Sequence, residues 1–277
     1  MSGSSGDDAW REVADGCFVR RYEYFDVSCG VVVGGDGLLV VDTRASLAQG
    51  RELADSVRSL SALPVRAVVN THVHFDHTFG NGAFTGTPIV AHESVPVALP
   101  AGSERIKAAY ADDPDDPLRD EVLATEVLAP TETFSSVWSV DLGDRIVEAV
   151  HPGRGHTDGD IVVRVPDADA VFGGDLVESS APPSYGADSF PLEWPATLDI
   201  VVGLLSPSTV VVPGHGPVVD RDFVQGQRGE IVDVAEQIRE LVAGAVPVDD
   251  ALARGHWPYD ADRLGAAVRR GYAALGR

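Results

Sequence analysis

The sequence predicts an α/β protein in which two β-sheets pack face to face with helices on their outer sides, followed by a helical appendage. Three observations carry this. Short apolar, β-branched runs recur along the chain, and in each half they lead into a helical segment and a polar loop. That doubled rhythm suits two packed sheets better than one doubly wound sheet. From about Asp222 the rhythm gives way to helical periodicity alone. The expected division is a flexible leader over residues 1–10, a main domain over 11–221 and the appendage over 222–277, and 277 residues suffice to bury a large core.

The leader, MSGSSGDDAW, lacks the basic start and apolar centre of a signal peptide. Cys17–Tyr24, Val27–Val33 and Leu38–Val41 read as successive antiparallel strands, with Gly34-Gly35-Asp36-Gly37 as a turn tolerant of positive φ. Leu47, Leu53, Val57 and Leu60 keep helical spacing across Leu47–Leu60. Val65–Val69 is a buried strand, Gly80–Phe84 a short helix and Pro88–Ala91 a further strand. Ala101–Pro130 reads as two helical pieces broken by the acidic, proline-containing run Asp112–Pro117.

Strands return at Thr133–Ser136, Val137–Leu142, Ile146–Val150, Ile161–Val165 and Ala170–Phe172. Leu176–Trp194 is rich in Pro, Ser and Gly and reads as a loop. Ala196–Leu205 is helical and Thr209–Val212 is the last strand. In the appendage, Ile231, Val234, Ala235, Ile238, Leu241 and Val242 share one face of a long helix. Leu264, Val268, Tyr272 and Leu275 mark another, with His256-Trp257-Pro258-Tyr259 between them.

The net charge is −22, from 43 acidic against 21 basic residues. Such a surface repels nucleic-acid backbones and anionic membranes, which leaves a small-molecule substrate as the expected partner. No apolar run approaches the length of a membrane span. Cys17 and Cys29 read as buried small hydrophobes in a reducing compartment, and a cytoplasmic location is expected. Nothing in the sequence signals an oligomeric state.

The run Thr71–His77, THVHFDH, places His72, His74, Asp76 and His77 directly after a strand. Imidazole and carboxylate are the ligands that borderline divalent cations prefer, and such a cluster contributes nothing to an apolar core. Three more ligand-type residues follow strands on Gly- or Pro-rich segments: His156 in HPGRGHTDGD, Asp175 after Phe172-Gly173-Gly174, and His215 in VVVPGHGPV. Loops at strand ends bring distant residues together.

In content and order these motifs, HxHxDH, GHT, GD after a strand and GHG after a strand, resemble the metallo-β-lactamase superfamily. Leu38-Leu39-Val40-Val41-Asp42-Thr43 is similar to its strand ending in an aspartate behind the ligands. The resemblance runs from about Val27 to Val218. It implies a four-layer αβ/βα sandwich over 11–221 with metals at one edge. It further implies that His72, His74 and His156 bind one metal, Asp76, His77 and His215 a second, and that Asp175 bridges them. Seven ligands exceed the need of one tetrahedral zinc, so two Zn2+ per chain are expected. A metal-bridging hydroxide is the expected nucleophile, with Asp76 as the catalytic residue that steers its proton. Asp42 and Thr157 are expected to orient the histidine rings.

Aspartate at position 175 matters for substrate class. In the β-lactamases proper the matching position is Cys or Ser. Aspartate there resembles glyoxalase II-like thioesterases, lactonases and related hydrolases. The expected function is a dinuclear zinc hydrolase that cleaves an ester, lactone, thioester or amide bond, with weak β-lactam cleavage in scope. The alternative is a persulfide dioxygenase-like oxidoreductase with one Fe held by His72, His156 and Asp175. Ser184, Tyr185 and Phe190 are expected to cover the site, and His92 and Trp194 to be structural. Arg154 meets either a substrate carboxylate or a surface partner. The appendage is expected to bound the pocket, with Trp257 and Tyr259 either touching ligand or anchoring its helices.

Overall fold

Strand and helix boundaries follow the sequence periodicity closely. The structure, a computed structural model, describes residues 9–277. Most of the expected leader lies outside the described residues, but Trp10 is placed, its indole N–H donating to the Ser56 carbonyl at 3.3 Å. The first half comprises β1 (Arg11–Ala14), β2 (Cys17–Tyr22), β3 (Val27–Val33), β4 (Leu38–Val41), α1 (Leu47–Leu60), β5 (Val65–Val69), α2 (Phe75–Thr78), β6 (Ile89–His92), α3 (Val95–Asp112), α4 (Arg119–Ala124) and β7 (Glu132–Phe134). The second comprises β8 (Val137–Asp141), β9 (Ile146–Val150), β10 (Val162–Val165), β11 (Ala170–Glu178), α5 (Trp194–Leu204) and β12 (Val210–His215). The chain ends in α6 (Arg221–Ala243), α7 (Val248–Arg254) and α8 (Gly265–Ala274).

Strands β4, β5, β6 and β7 run parallel, with β3 and β2 added antiparallel at the β4 edge. In the second half β11 and β12 are parallel, and β10, β9 and β8 continue antiparallel. One residue pair, Val27 with His215, joins β3 to β12 and so links the two sheets.

The period-two alternation of strands sorts side chains into layers. Leu39 and Val41 face inward against Val163, Val165, Phe172 and Val212 of the other sheet. Their neighbours Leu38 and Val40 face outward onto Leu53, Ala54 and Val57 of α1. On the other side Val162, Val171 and Val211 face α5 and the appended helices. Four layers result, helix on sheet on sheet on helix, as expected.

Ser46 caps α1 by accepting the Gln49 N–H at 3.1 Å, and Asp220 caps α6 by accepting the Phe223 N–H at 2.9 Å. Ile231, Val234, Ile238 and Leu241 of α6 pack on Leu198, Val201 and the outer face of the second sheet. Each such aliphatic side chain contributes about 1.5–3 kcal/mol when fully buried. The 222–277 segment is therefore built into the fold as its outer layer.

Strand β1 and the single-turn helix α2 are additional, and three further elements differ from expectation. Helix α3 begins at Val95 rather than near residue 101 and continues through Pro100, which is exposed, so its missing N–H falls on the solvent side. Helix α7 is additional. Strand β11 does not stop at Gly174. The register shifts there, and the strand resumes through Glu178 with every residue buried. Gly174 has φ +51, and a Cβ on it would lie 2.7 Å from Thr71 Cβ, so glycine permits both the bulge and the close approach.

Candidate metal centre

The chemistry-bearing side chains sit at the C-terminal ends of parallel strands. Asp42 follows β4, Thr71–His77 follows β5, Asp175 sits beyond the bulge of β11, and His215 ends β12. His156 comes from the loop between β9 and β10. Asp42 has φ 62, in the left-handed region where aspartate is among the better-tolerated residues. Its carboxylate is buried and accepts three hydrogen bonds: from Thr71 N–H at 2.7 Å, the Thr71 hydroxyl at 2.8 Å and His77 Nδ1 at 2.8 Å. These bonds outweigh a backbone strain of about 1–3 kcal/mol.

The imidazoles share one design. Each has its outward nitrogen bonded to the protein: His72 Nδ1 to the Thr71 hydroxyl oxygen at 3.1 Å, His74 Nε2 to Asp188 at 3.1 Å, His77 Nδ1 to Asp42, His156 Nδ1 to the Ser184 carbonyl at 2.9 Å, and His215 Nδ1 to the Phe25 carbonyl at 2.7 Å. In the neutral ring those partners place the proton outward and leave the lone pair of the other nitrogen pointing inward. The inward nitrogens crowd together, His74 Nδ1 against His156 Nε2 at 2.8 Å and His77 Nε2 against His215 Nε2 at 3.3 Å. Lone pairs facing each other at that range repel unless a cation or a proton lies among them.

The donor atoms fall into two groups, His72, His74, His156 and Asp175 in one, Asp76, His77 and His215 in the other, all within 4.8 Å of one another inside each group. Asp175 reaches across both. Its Oδ2 lies 3.4 Å from His156 Nε2 and 3.1 Å from His215 Nε2, and its Oδ1 lies 3.3 Å from His77 Nε2. A Cβ on Gly214 would collide with Asp175 Oδ1, so glycine is needed for this approach. His72 Nε2 and Asp175 Oδ1 are buried and have no hydrogen-bond partner. A divalent cation satisfies both orphans, and the nitrogen and oxygen donors suit zinc.

In the ion-free protein the imidazoles differ in their protons, and within the first group the Asp188 hydrogen bond and charge raise His74 against its burial. Burial opposes the charge of His215, yet Asp175, by charge and hydrogen bond, and then Asp76 push its pKa up to about 10. His77 is likewise raised against burial, by Asp175, Asp42 and Asp76. Burial and then the neighbouring His74 push His156 down to about 4, and burial and His77 lower His72. Asp175 stays ionised well below the usual carboxylate range because His215 and His77 outweigh its burial.

All seven sequence-predicted residues are thus brought together. Asp42 orients His77 as expected. Thr157 does not orient a ring, because its N–H and hydroxyl are both taken by Asp160, at 3.0 and 2.6 Å. The residues that hold His74, His156 and His215 from behind, Asp188 and the carbonyls of Ser184 and Phe25, were not among the expected ones. Backbone carbonyls leave no mark in a sequence, and Asp188 is one acid in a polar loop.

A cavity of about 490 Å³ opens over His74, Asp76, His156, Asp175 and His215. Ser184 and Tyr185 form part of its wall, as expected. Phe190 does not, since it lies under the guanidinium of Arg154 at 4.4 Å. Arg154 itself pairs with Glu193 at 2.7 and 3.0 Å, the surface-partner outcome. His92 lies outside the donor groups, stacked on His151 at 4.0 Å, and Trp194 is fully buried. Glu178 also lines the cavity, its pKa pushed up to about 8 by burial and by Asp175. A charged residue directly after the apolar pair Leu176-Val177 was its available signal.

Arg263, from the appended segment, reaches the same cavity. Tyr259 lines an adjoining groove and donates to Glu230 at 2.9 Å. Trp257 does not line either cleft. It packs on the helical core and donates to the Leu252 carbonyl at 3.0 Å, the anchoring role.

The pattern that defines the metallo-beta-lactamase superfamily matches residues 23–219. A metallo-beta-lactamase type 2 of Bacillus cereus is 31% identical over 190 residues, covering 68% of this chain and 66% of the relative, so the match spans just under two thirds of that protein. An acyl-coenzyme A thioesterase of Bos taurus is 24% identical over 230 residues, covering 75% of this chain and 80% of the relative. A solved metallo-beta-lactamase from Pontibacter korlensis shares the fold, with a TM-score of 0.62 at 23% identity over 80% of this chain and 98% of that one. The family match takes in both donor groups and ends just before α6. The chain belongs to the metallo-β-lactamase superfamily.

Proposed function

We propose that this protein is a metal-dependent hydrolase that holds two zinc ions and cleaves an ester, lactone, thioester or amide bond of a small molecule. The observation that carries this reading is the arrangement of five imidazoles, each bonded outward to the protein through one nitrogen and turning the other inward, around a carboxylate that reaches both groups. His72, His74 and His156 would hold one ion, Asp76, His77 and His215 the other, with Asp175 between them. Bound zinc supplies Lewis acidity and makes water a usable nucleophile near neutral pH.

The chain's own residues do the rest. Asp42, Asp188 and the carbonyls of Ser184 and Phe25 fix ring orientation, so little reorganisation accompanies the reaction. Asp76 lines the cavity and takes up the proton of the attacking water at its carboxylate. The Bacillus and Bos taurus relatives are named for cleaving different carbonyl bonds, and the shared reaction class supports hydrolysis here. Aspartate at 175 inclines the reading toward esters and thioesters, with β-lactam cleavage weak.

The substrate is a small molecule, since a net charge of −22 disfavours nucleic acid and anionic membranes. Among the described residues no helix is long and apolar enough to cross a membrane. Cys17 and Cys29 are buried free thiols, and a reducing, cytoplasmic setting suits them.

Elemental mass spectrometry, paired with a screen of esters, lactones, thioesters, amides and β-lactams before and after chelation, tests the reading. Two zinc ions per chain and chelator-sensitive hydrolysis are expected. One iron with an empty second group would return the oxidoreductase alternative.

A further inference from the structure

A second cavity, of about 340 Å³, opens beside the metal centre between α2 and α3. His74 and Asp76 line both cavities, so the two adjoin at the donor groups. Away from that shared wall the second cavity is largely apolar, formed by Val73, Phe75, Phe79, Ala98, Ala101 and Ile106. Phe79 is 1% exposed and packs edge-on against Phe75 at 5.7 Å, with Tyr110 behind, which makes this wall rigid. Ala98, Ala101 and Gly102 lie three and four positions apart on α3, on one face, and their small side chains leave the hollow open. A pre-formed apolar hollow touching a polar reaction centre is the usual form of a ligand site.

We infer that this cavity is an acyl subsite, holding the alkyl chain of an ester or thioester whose carbonyl lies over the donor groups. The inference rests on the hydrolase reading and narrows its substrate class. Beyond His74 and Asp76 its polar lining is sparse: Ser103, and Arg105 paired with Asp188 at 3.7 Å. At about 30 Å³ for each small group, a volume of about 340 Å³ has room for a straight chain of up to about ten carbons. Hydrolysis there adds water across the acyl bond and releases the chain as a carboxylate with the alcohol or thiol as co-product.

Two measurements test this. With zinc-loaded protein, kcat/KM for p-nitrophenyl esters should rise from acetate to octanoate, by up to about fourfold per methylene, and level off near ten carbons. Ala101→Phe, which fills the cavity from the exposed side of α3, should lower the octanoate-to-acetate ratio by about tenfold or more. Ala98→Leu fills the same space and replaces it if Ala101→Phe fails to fold. Independently, calorimetry with decanoate and chelator-treated protein should show binding that the variant weakens by about tenfold or more. A flat chain-length profile in an active enzyme, or equal decanoate affinity in wild type and variant, overturns the subsite. Absence of ester turnover, with decanoate bound by wild type and lost in the variant, refutes the hydrolase reading and leaves the subsite standing.

Discussion

Asp42→Asn is the most discriminating single change at this centre. The side chain keeps its shape, and asparagine tolerates the left-handed backbone at φ 62 about as well as aspartate. What changes is that one acceptor oxygen becomes a donor NH2. Asp42 accepts three hydrogen bonds, and asparagine can retain the one from Thr71 N–H through its remaining oxygen. The amide then faces His77 Nδ1, and two donors cannot share that contact. The relief is for His77 to shift its proton to Nε2, the nitrogen that faces His215 and Asp175. A ligand protonated on its coordinating nitrogen cannot bind. Loss of a supporting carboxylate of this kind costs about 10–100-fold in metal affinity, equivalent to about 1.4–2.8 kcal/mol. The loss should fall on the Asp76, His77 and His215 group and spare the other. Competition against a zinc chelator would resolve the two ions, and nitrogen NMR of the imidazoles would report the His77 tautomer. Wild-type affinity for both ions, with the His77 proton still on Nδ1, would refute the argument that Asp42 acts by fixing this ring.

Other perturbations probe the remaining supports. Asp188→Ala removes the partner of His74 Nε2 and should weaken one zinc by about tenfold, read by the same competition assay, with the other ion unaffected. Gly214→Ala drives a methyl group into Asp175 Oδ1, so both ions should be lost together in mass spectrometry while the fold, followed by circular dichroism, persists. His215, with an ion-free pKa of about 10, and His77, also raised, hold protons at neutral pH that zinc must displace. Zinc affinity should therefore rise with pH, by about tenfold per unit for each proton released, and calorimetry in two buffers should count those protons. A pH-independent affinity would show that the second group is already deprotonated. Trp257→Leu should lower Tm by about 2–4 °C without changing substrate preference, since the indole packs on the helices and lines neither cleft.

Legibility of this chain in its sequence tracks the physics of each element. Val27–Val33, Leu38–Val41, Val65–Val69 and the Leu47–Leu60 helix fall where periodicity places them, because strong burial on defined faces leaves one register. Gly173-Gly174 reads as the end of a strand, whereas in the fold it is a bulge within one, since β12 alongside keeps pairing beyond it. Helix α7 is too short for its periodicity to stand out. At the centre, the side chains rich in donor chemistry were visible as a pattern, but their supports were not. Thr157 illustrates the difference. A hydroxyl next to a histidine looks like its partner, yet Asp160, three residues on, takes both of its donors in a local turn.

The position of the centre also explains why the fold needs two half-sheets. His72 and His74 come from the first half and His156 and Asp175 from the second, while Asp76 and His77 are completed by His215 from across the junction. Neither half alone supplies a full donor group. The junction itself is a single residue pair, Val27 with His215, flanked by Phe25 and Asp26 at φ 62 and 54. Two consecutive non-glycine residues in the left-handed region are costly, on the order of 1–3 kcal/mol each. They are held by His215 Nδ1 bonding to the Phe25 carbonyl, by Gly216 N–H bonding to the Asp26 carbonyl at 3.0 Å, and by Arg21 on the Asp26 carboxylate at 2.6–3.0 Å. The same hydrogen bond that turns His215 inward therefore also closes one sheet onto the other. An ion held by His215 would stabilise the same contact that closes the sheets, so the strain at Phe25 and Asp26 is set against the geometry that turns this ring inward.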